Sequence, residues 1–153
     1  MDLVENSLGV DLDAFLSRPL FGHLATHAPA GPRESPVWYL WEDGAAWILG
    51  DSATDTFPAR IDREPACALG VVDFDPARGL VQHVGIRGIG SVEPFDRALA
   101  ERLLANYLGS DATEWDRRFA DYLDEPTGTA LLIRVDPETV VARDQSYAPT
   151  PAH

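Results

Sequence analysis

The sequence contains no lysine, so all twelve basic side chains are arginines. Schiff-base chemistry and a lysine clamp on phosphate are thereby excluded. There is a single cysteine, Cys67, so no disulfide can form within the chain, and a cysteine-rich zinc centre is excluded as well. Cys67 lies in the apolar run ACALGVV, where a free cysteine behaves as a small core residue. Positive charge is scarce, with 12 basic against 25 acidic residues and a net charge of −13. A nucleic-acid partner needs a clustered basic face, and an anionic membrane needs the same; neither partner is expected here. One or two arginines in a local pocket still suffice for a small anion. No apolar run approaches the roughly 18 residues of a membrane span. The first residues, MDLVENSLGVDLD, have no basic segment followed by an apolar stretch, so the expectation is a cytoplasmic protein. There is no G-x-S-x-G elbow for a serine hydrolase. The glycines of GIRGIG have the wrong spacing for a dinucleotide fingerprint.

What remains is a chain of 153 residues, 45% of them hydrophobic, enough for one domain with its own core. It reads as a single domain over residues 1–153, with 1–8 and 148–153 expected to be flexible, His153 among them. A short helix is expected at Leu12 to Leu16, ended by Pro19. Leu20 to Ala28 alternates as a strand, with Leu20, Gly22, Leu24 and Thr26 on one side and Phe21, His23, Ala25 and His27 on the other. Glu34 to Trp41 and Ala45 to Gly50, separated by EDG, read as a hairpin. Asp51 to Glu64 is a polar connector with a short helix, Thr56 as its N-cap and Pro58 in its first turn. Ala66 to Phe74 is nearly all apolar and is expected to be buried on both faces. Leu80 to Val92 is a long strand whose glycines suggest bulges. Helices are expected over Arg97 to Leu108 and Asp111 to Leu123, the second with a stripe of Trp115, Arg118, Phe119 and Tyr122. Thr129 to Val135 and Thr139 to Arg143 would be closing strands. Strands joined by short turns favour an antiparallel barrel over a parallel α/β sheet.

The ordered segments FGHLATHA, PVWYLWEDGAAWIL, DSATDTFPARIDREPACALGVVDF and VGIRGIGSVEP, followed by helices, resemble the flavin-binding split barrels of the pyridoxamine 5'-phosphate oxidase-like proteins and related deazaflavin-using enzymes. The likeness spans roughly residues 14–141. It implies a mainly β fold, an antiparallel split β-barrel with α-helices. It also implies a homodimer with FMN in a groove between subunits, acting as an oxidoreductase on a small-molecule substrate. By that resemblance Pro36, Val37 and Trp38 contact the flavin ring. The phosphate loop runs from Asp51 to Arg60, with Ser52, Thr54, Thr56 and Arg60 as donors. Gln82 and His83 stand near the flavin edge. Phosphate recognition wants amides, hydroxyls and a fixed cation.

The loop departs from the family pattern. Asp55, Thr56 and Phe57 stand where flavin-binding members often carry serine, a basic residue and lysine, and Asp51 adds a second carboxylate. Two readings therefore stay open: an FMN- or deazaflavin-dependent oxidoreductase, or a cofactor-free split-barrel homodimer that binds small ligands or partners. No catalytic residue is singled out. His23 and His27, about 13 Å apart along a strand, cannot share a metal. Trp38 and Trp41 point to opposite faces of their strand, one of them to the core.

Overall fold

The computed structural model describes residues 1–151; His153 lies outside the described residues. Eight strands form one sheet: β1 (Asp2–Asn6), β2 (Gly22–Ala28), β3 (Gly31–Val37), β4 (Tyr39–Glu42), β5 (Ala45–Asp51), β6 (Ala66–Asp75), β7 (Leu80–Pro94) and β8 (Ala130–Asp144). Helices are α1 (Leu12–Leu16), α2 (Phe57–Arg63), α3 (Arg97–Leu108) and α4 (Arg117–Asp124). The strand order is β3-β2-β6-β7-β8-β5-β4, with β1 added alongside β8. Every pairing along that path is antiparallel, and only β1 on β8 is parallel.

The two ends of this order, β3 and β4, are joined through one residue, Trp38. A seven-strand sheet whose edges are that close in the chain must roll up. The two edges are not hydrogen-bonded to each other, so the result is a barrel split between β3 and β4. Its inside is filled by inward positions of period two along each strand: Leu24, Tyr39, Trp41, Ile48, Leu69, Val71, Val84, Ile86, Ile133, Val135 and Val140. The face of β2 that carries Gly22, Leu24 and Thr26 points inward, and His23 and His27 point out. Phe15 and Leu16 of α1 and Phe57 and Ile61 of α2 plug the ends. A second cluster, Leu103, Leu104, Trp115 and Leu123 with Trp38, Phe119 and Tyr122 around it, packs α3 and α4 on the outside near the split.

Several boundaries differ from the sequence reading. The strand expected over Glu34 to Trp41 is two strands, because the chain crosses from one sheet edge to the other at Trp38. Residues 2–6, expected to be loose, pair with Thr139–Ala142, and Leu8 is buried beyond them. The helix expected over Asp111 to Leu123 is a 3-10 turn (Ala112–Glu114) and then α4; Asp111 and Asp116 each cap their own segment. The two closing strands are one continuous strand, β8, which passes through Pro137 with a bulge at Glu138, opposite the Arg87–Gly88 step of β7. β6 is buried on one face only: Cys67, Leu69 and Val71 point in, while Val72 and Phe74 are exposed. A long apolar run thus faces solvent on one side of an antiparallel sheet.

The bulge needs the glycine opposite it, because a Cβ on Gly88 would lie 2.1 Å from the Asp136 carbonyl oxygen. A Cβ on Gly70, in the neighbouring strand, would meet open space. Gly88→Ala is expected to destabilise the fold by about 1–3 kcal/mol, and Gly70→Ala to stay within about 0.5 kcal/mol. Urea unfolding of the two variants beside the parent checks the contrast.

Candidate functional site

The split leaves a cleft of ≈ 490 Å³ bounded by the β3–β4 crossing, β5, the start of α2 and the helices α3 and α4. Pocket sizes of this order suit a drug-sized ligand. Pro36, Val37 and Trp38 line one wall. Leu49, Phe57, Leu103, Phe119 and Tyr122 complete an apolar and aromatic interior, and Asp51, Thr54, Asp55 and Thr127 make a polar end.

The crossing at Trp38 is built by a tyrosine that the sequence reading did not single out. The Tyr107 hydroxyl accepts from the Tyr39 N–H at 3.0 Å and donates toward the Leu20 carbonyl at 2.8 Å. It replaces a strand partner for an amide that the break leaves without one. The Tyr107 ring stacks on Trp38 at 4.5 Å with the planes 5° apart, and Phe119 stacks on Trp38 at 5.8 Å. Trp38 therefore joins the hairpin to the helices, and Trp41 turns the other way into the barrel, where its indole N–H donates to Asp13 at 2.7 Å. Sequence spacing separates Trp38 from Trp41; nothing in it pairs Trp38 with a residue nearly seventy positions away.

The polar end is governed by Asp51. Its Oδ1 accepts from the Ala53 N–H at 2.8 Å and the Thr129 hydroxyl at 2.6 Å, and its Oδ2 accepts from the Thr127 hydroxyl at 2.6 Å. The carboxylate of Asp55 accepts from the Asp51 N–H at 2.8 Å. The amides of Thr54 and Asp55 go to the Asp51 carbonyl at 3.3 and 2.8 Å. Hydrogen bonds from Thr127, Thr129 and Ala53 hold the Asp51 carboxyl below the ordinary carboxylate range. Burial, and then the charges of Asp51 and Asp55, push the Tyr122 hydroxyl upward, so it stays protonated at neutral pH. Thr127 and Thr129 were invisible as site residues because they lie more than seventy positions from the loop they bind.

The remaining sequence candidates sit elsewhere. Ser52 is exposed at the rim and bonds Thr129, with its N–H donating to the Thr129 carbonyl at 3.0 Å. Thr56 makes no side-chain cap on α2; its hydroxyl accepts from the Arg60 guanidinium instead. Arg60 also donates through Nε to the Thr26 hydroxyl at 2.8 Å, and Thr26 is 3% exposed. Arg60 thus ties α2 to β2 and does not line the cleft. Arg63 faces a separate depression with His27 and Pro29. On β7, Gln82 donates to Asp144, and His83 lines another depression floored by Gly70 and Gly85, where burial and Arg143 lower its basicity. Among the described residues, no group of three histidine, cysteine or carboxylate side chains is placed to hold a metal. No helix is long and apolar enough to cross a membrane.

The residues therefore fit the two parts of FMN unequally. The ring finds an apolar cleft of suitable size. The phosphate finds a loop whose amides and hydroxyls already bind the chain's own carboxylates, with both nearby arginines turned away.

No family model matches the sequence, and none of the curated proteins matches it either. Solved structures do. A conserved hypothetical protein of Mycobacterium tuberculosis superposes with a TM-score of 0.75 at 17% identity, over 97% of each chain. An F420 reductase is 26% identical with a TM-score of 0.61, over 84% of this chain and 94% of its own. A Listeria innocua protein assigned provisionally to the pyridoxamine 5'-phosphate oxidases has a TM-score of 0.63 at 18% identity, over 90% of this chain and all 100% of its own.

Two expected outcomes follow from the site's own bonds. Tyr107→Phe leaves the buried Tyr39 amide without its acceptor and is expected to cost about 1–3 kcal/mol in urea unfolding, with a changed Trp38 emission. Asp51 has a folded-state pKa below its unfolded value, so its contribution is present above about pH 4 and is lost as pH falls through the depressed value. Asp51→Asn is expected to flatten that acid limb when the urea midpoint is followed between about pH 2 and 6.

Proposed function

We propose that this chain, which has the split-barrel fold of the pyridoxamine 5'-phosphate oxidase-like proteins, binds a flat heteroaromatic ligand of the flavin or deazaflavin kind in the cleft beside Trp38 and serves as an oxidoreductase. The observation that carries this reading is the cleft itself: an apolar and aromatic slot at the split of the barrel, polar at one end only. The likeness to an F420 reductase adds support. A bound flavin or deazaflavin would supply hydride transfer. The chain supplies a dry slot, with Leu49, Phe57 and Phe119 excluding water, and the Tyr122 hydroxyl and Thr54 as polar groups for a ring edge. No side chain in the cleft is assigned a proton-transfer role.

The reading includes a homodimer. Gln82 and His83 lie on β7 outside this cleft, so a role for them at a flavin edge needs a second copy. Phe21, Val72 and Phe74 are 53%, 44% and 59% exposed, and Val72 and Phe74 share one face of β6. An apolar set of this kind suits a subunit contact. The cofactor-free alternative, a split-barrel dimer that binds other small ligands, is favoured by one observation: the cleft's lining carries two carboxylates and no arginine.

Titration with riboflavin and FMN, followed by ring fluorescence and tryptophan quenching, tests the ring reading. Saturable quenching is expected, and it should weaken at least about ten-fold when Leu49→Trp fills the slot. Sedimentation at twice the chain mass is expected. Silence toward every flavin and deazaflavin up to about 1 mM, a binding energy of only about 4 kcal/mol, leaves the cofactor-free reading in its place.

A further inference from the structure

We infer that the cleft selects the phosphate-free form of its ring ligand, because the Asp51 carboxylate already occupies, as a built-in anion, the donor nest where a ligand phosphate would sit. This inference rests on the ring reading above and narrows its substrate class to neutral flavin-type rings such as riboflavin.

The nest consists of the Ala53 amide and the Thr127 and Thr129 hydroxyls, all within 2.6–2.8 Å of Asp51 oxygens. These are the donor types that hold a phosphate in other loops. A phosphate entering here must displace a carboxylate of the chain itself, which stays tethered beside it. The second carboxylate, Asp55, holds the Asp51 amide and lines the same end of the cleft. A phosphate dianion placed next to these two carboxylates is repelled by each.

Among the described residues, no arginine lines the cleft to reverse that balance. Arg60 is the nearest in sequence, and its guanidinium satisfies the buried Thr26 hydroxyl and the Thr56 hydroxyl. Swinging it toward the cleft would strand the buried Thr26 hydroxyl. Arg63 points into the depression with His27. The apolar slot, by contrast, is indifferent to whether the ligand carries a phosphate, so the same ring without it keeps its contacts and avoids the repulsion.

The test compares riboflavin with FMN on the full chain by fluorescence titration, at low and at high salt. Riboflavin is expected to bind at least about ten-fold tighter than FMN at low ionic strength. The gap should narrow with added salt, which screens exposed charges. Asp51→Asn and Asp55→Asn should each narrow it by improving FMN binding relative to riboflavin binding. Should the Asn variants lose their near-ultraviolet dichroism, the salt series on the parent still decides. FMN binding as tight as riboflavin, or tighter, overturns this inference and leaves the ring reading intact. Failure of both ligands to bind overturns the inference and the ring reading together.

Discussion

One residue joins the two edges of the sheet, and the rest of the molecule is arranged around that constraint. With β3 and β4 at opposite ends of the strand order and only Trp38 between them, the sheet has to close on itself without completing its hydrogen bonding. The break exposes a backbone amide at Tyr39, and the Tyr107 hydroxyl of α3 supplies the acceptor. Because α3 must therefore sit over the split, its apolar side chains and those of α4 roof the gap and turn it into a cleft. The barrel core, the helix pair and the candidate site are consequences of a single crossing.

The polar end of that cleft has the donors of an anion site and the charge of an anti-anion site. Both facts come from one residue. Asp51 collects three donors, which keeps it ionised and holds the loop before α2 against the start of β8. The loop before α2 is thus closed by an internal carboxylate. Arg60, which by its position one turn into α2 looks available to an anion, is instead the tie between α2 and the buried Thr26 of β2. Releasing Asp51 from these donors would also loosen the loop that shapes the cleft.

Much of the architecture was readable from residue patterns. The period-two alternation of LFGHLATHA, the EDG hairpin and the helix expected over Arg97 to Leu108 located their elements within a few residues. Misreadings arose where a local pattern has two tertiary outcomes. PVWYLW looks like one strand whether it stays in one pairing or crosses between two. ACALGVV looks buried on both sides because glycine and alanine are apolar, yet its outer face is open. DPE looks like a turn, but it continues a strand with a bulge at Glu138, opposite Gly88. Of the site, Pro36, Val37, Trp38, Asp51 and Thr54 come together at the cleft, while Ser52, Thr56, Arg60, Gln82 and His83 lie outside its lining.

The amino-acid sequence alone determined which residue types are available: arginine without lysine, two carboxylates in the loop, one buried thiol, and enough alternating apolar residues for an antiparallel barrel. These follow from composition and short-range spacing, which need no knowledge of neighbours. Only the tertiary structure decided which donors those carboxylates take, that Tyr107 completes the strand break, and that Arg60 turns inward. Hydrogen bonds and stacking act over a few ångströms between atoms far apart in the chain, so their partners become defined only when the sheet has closed.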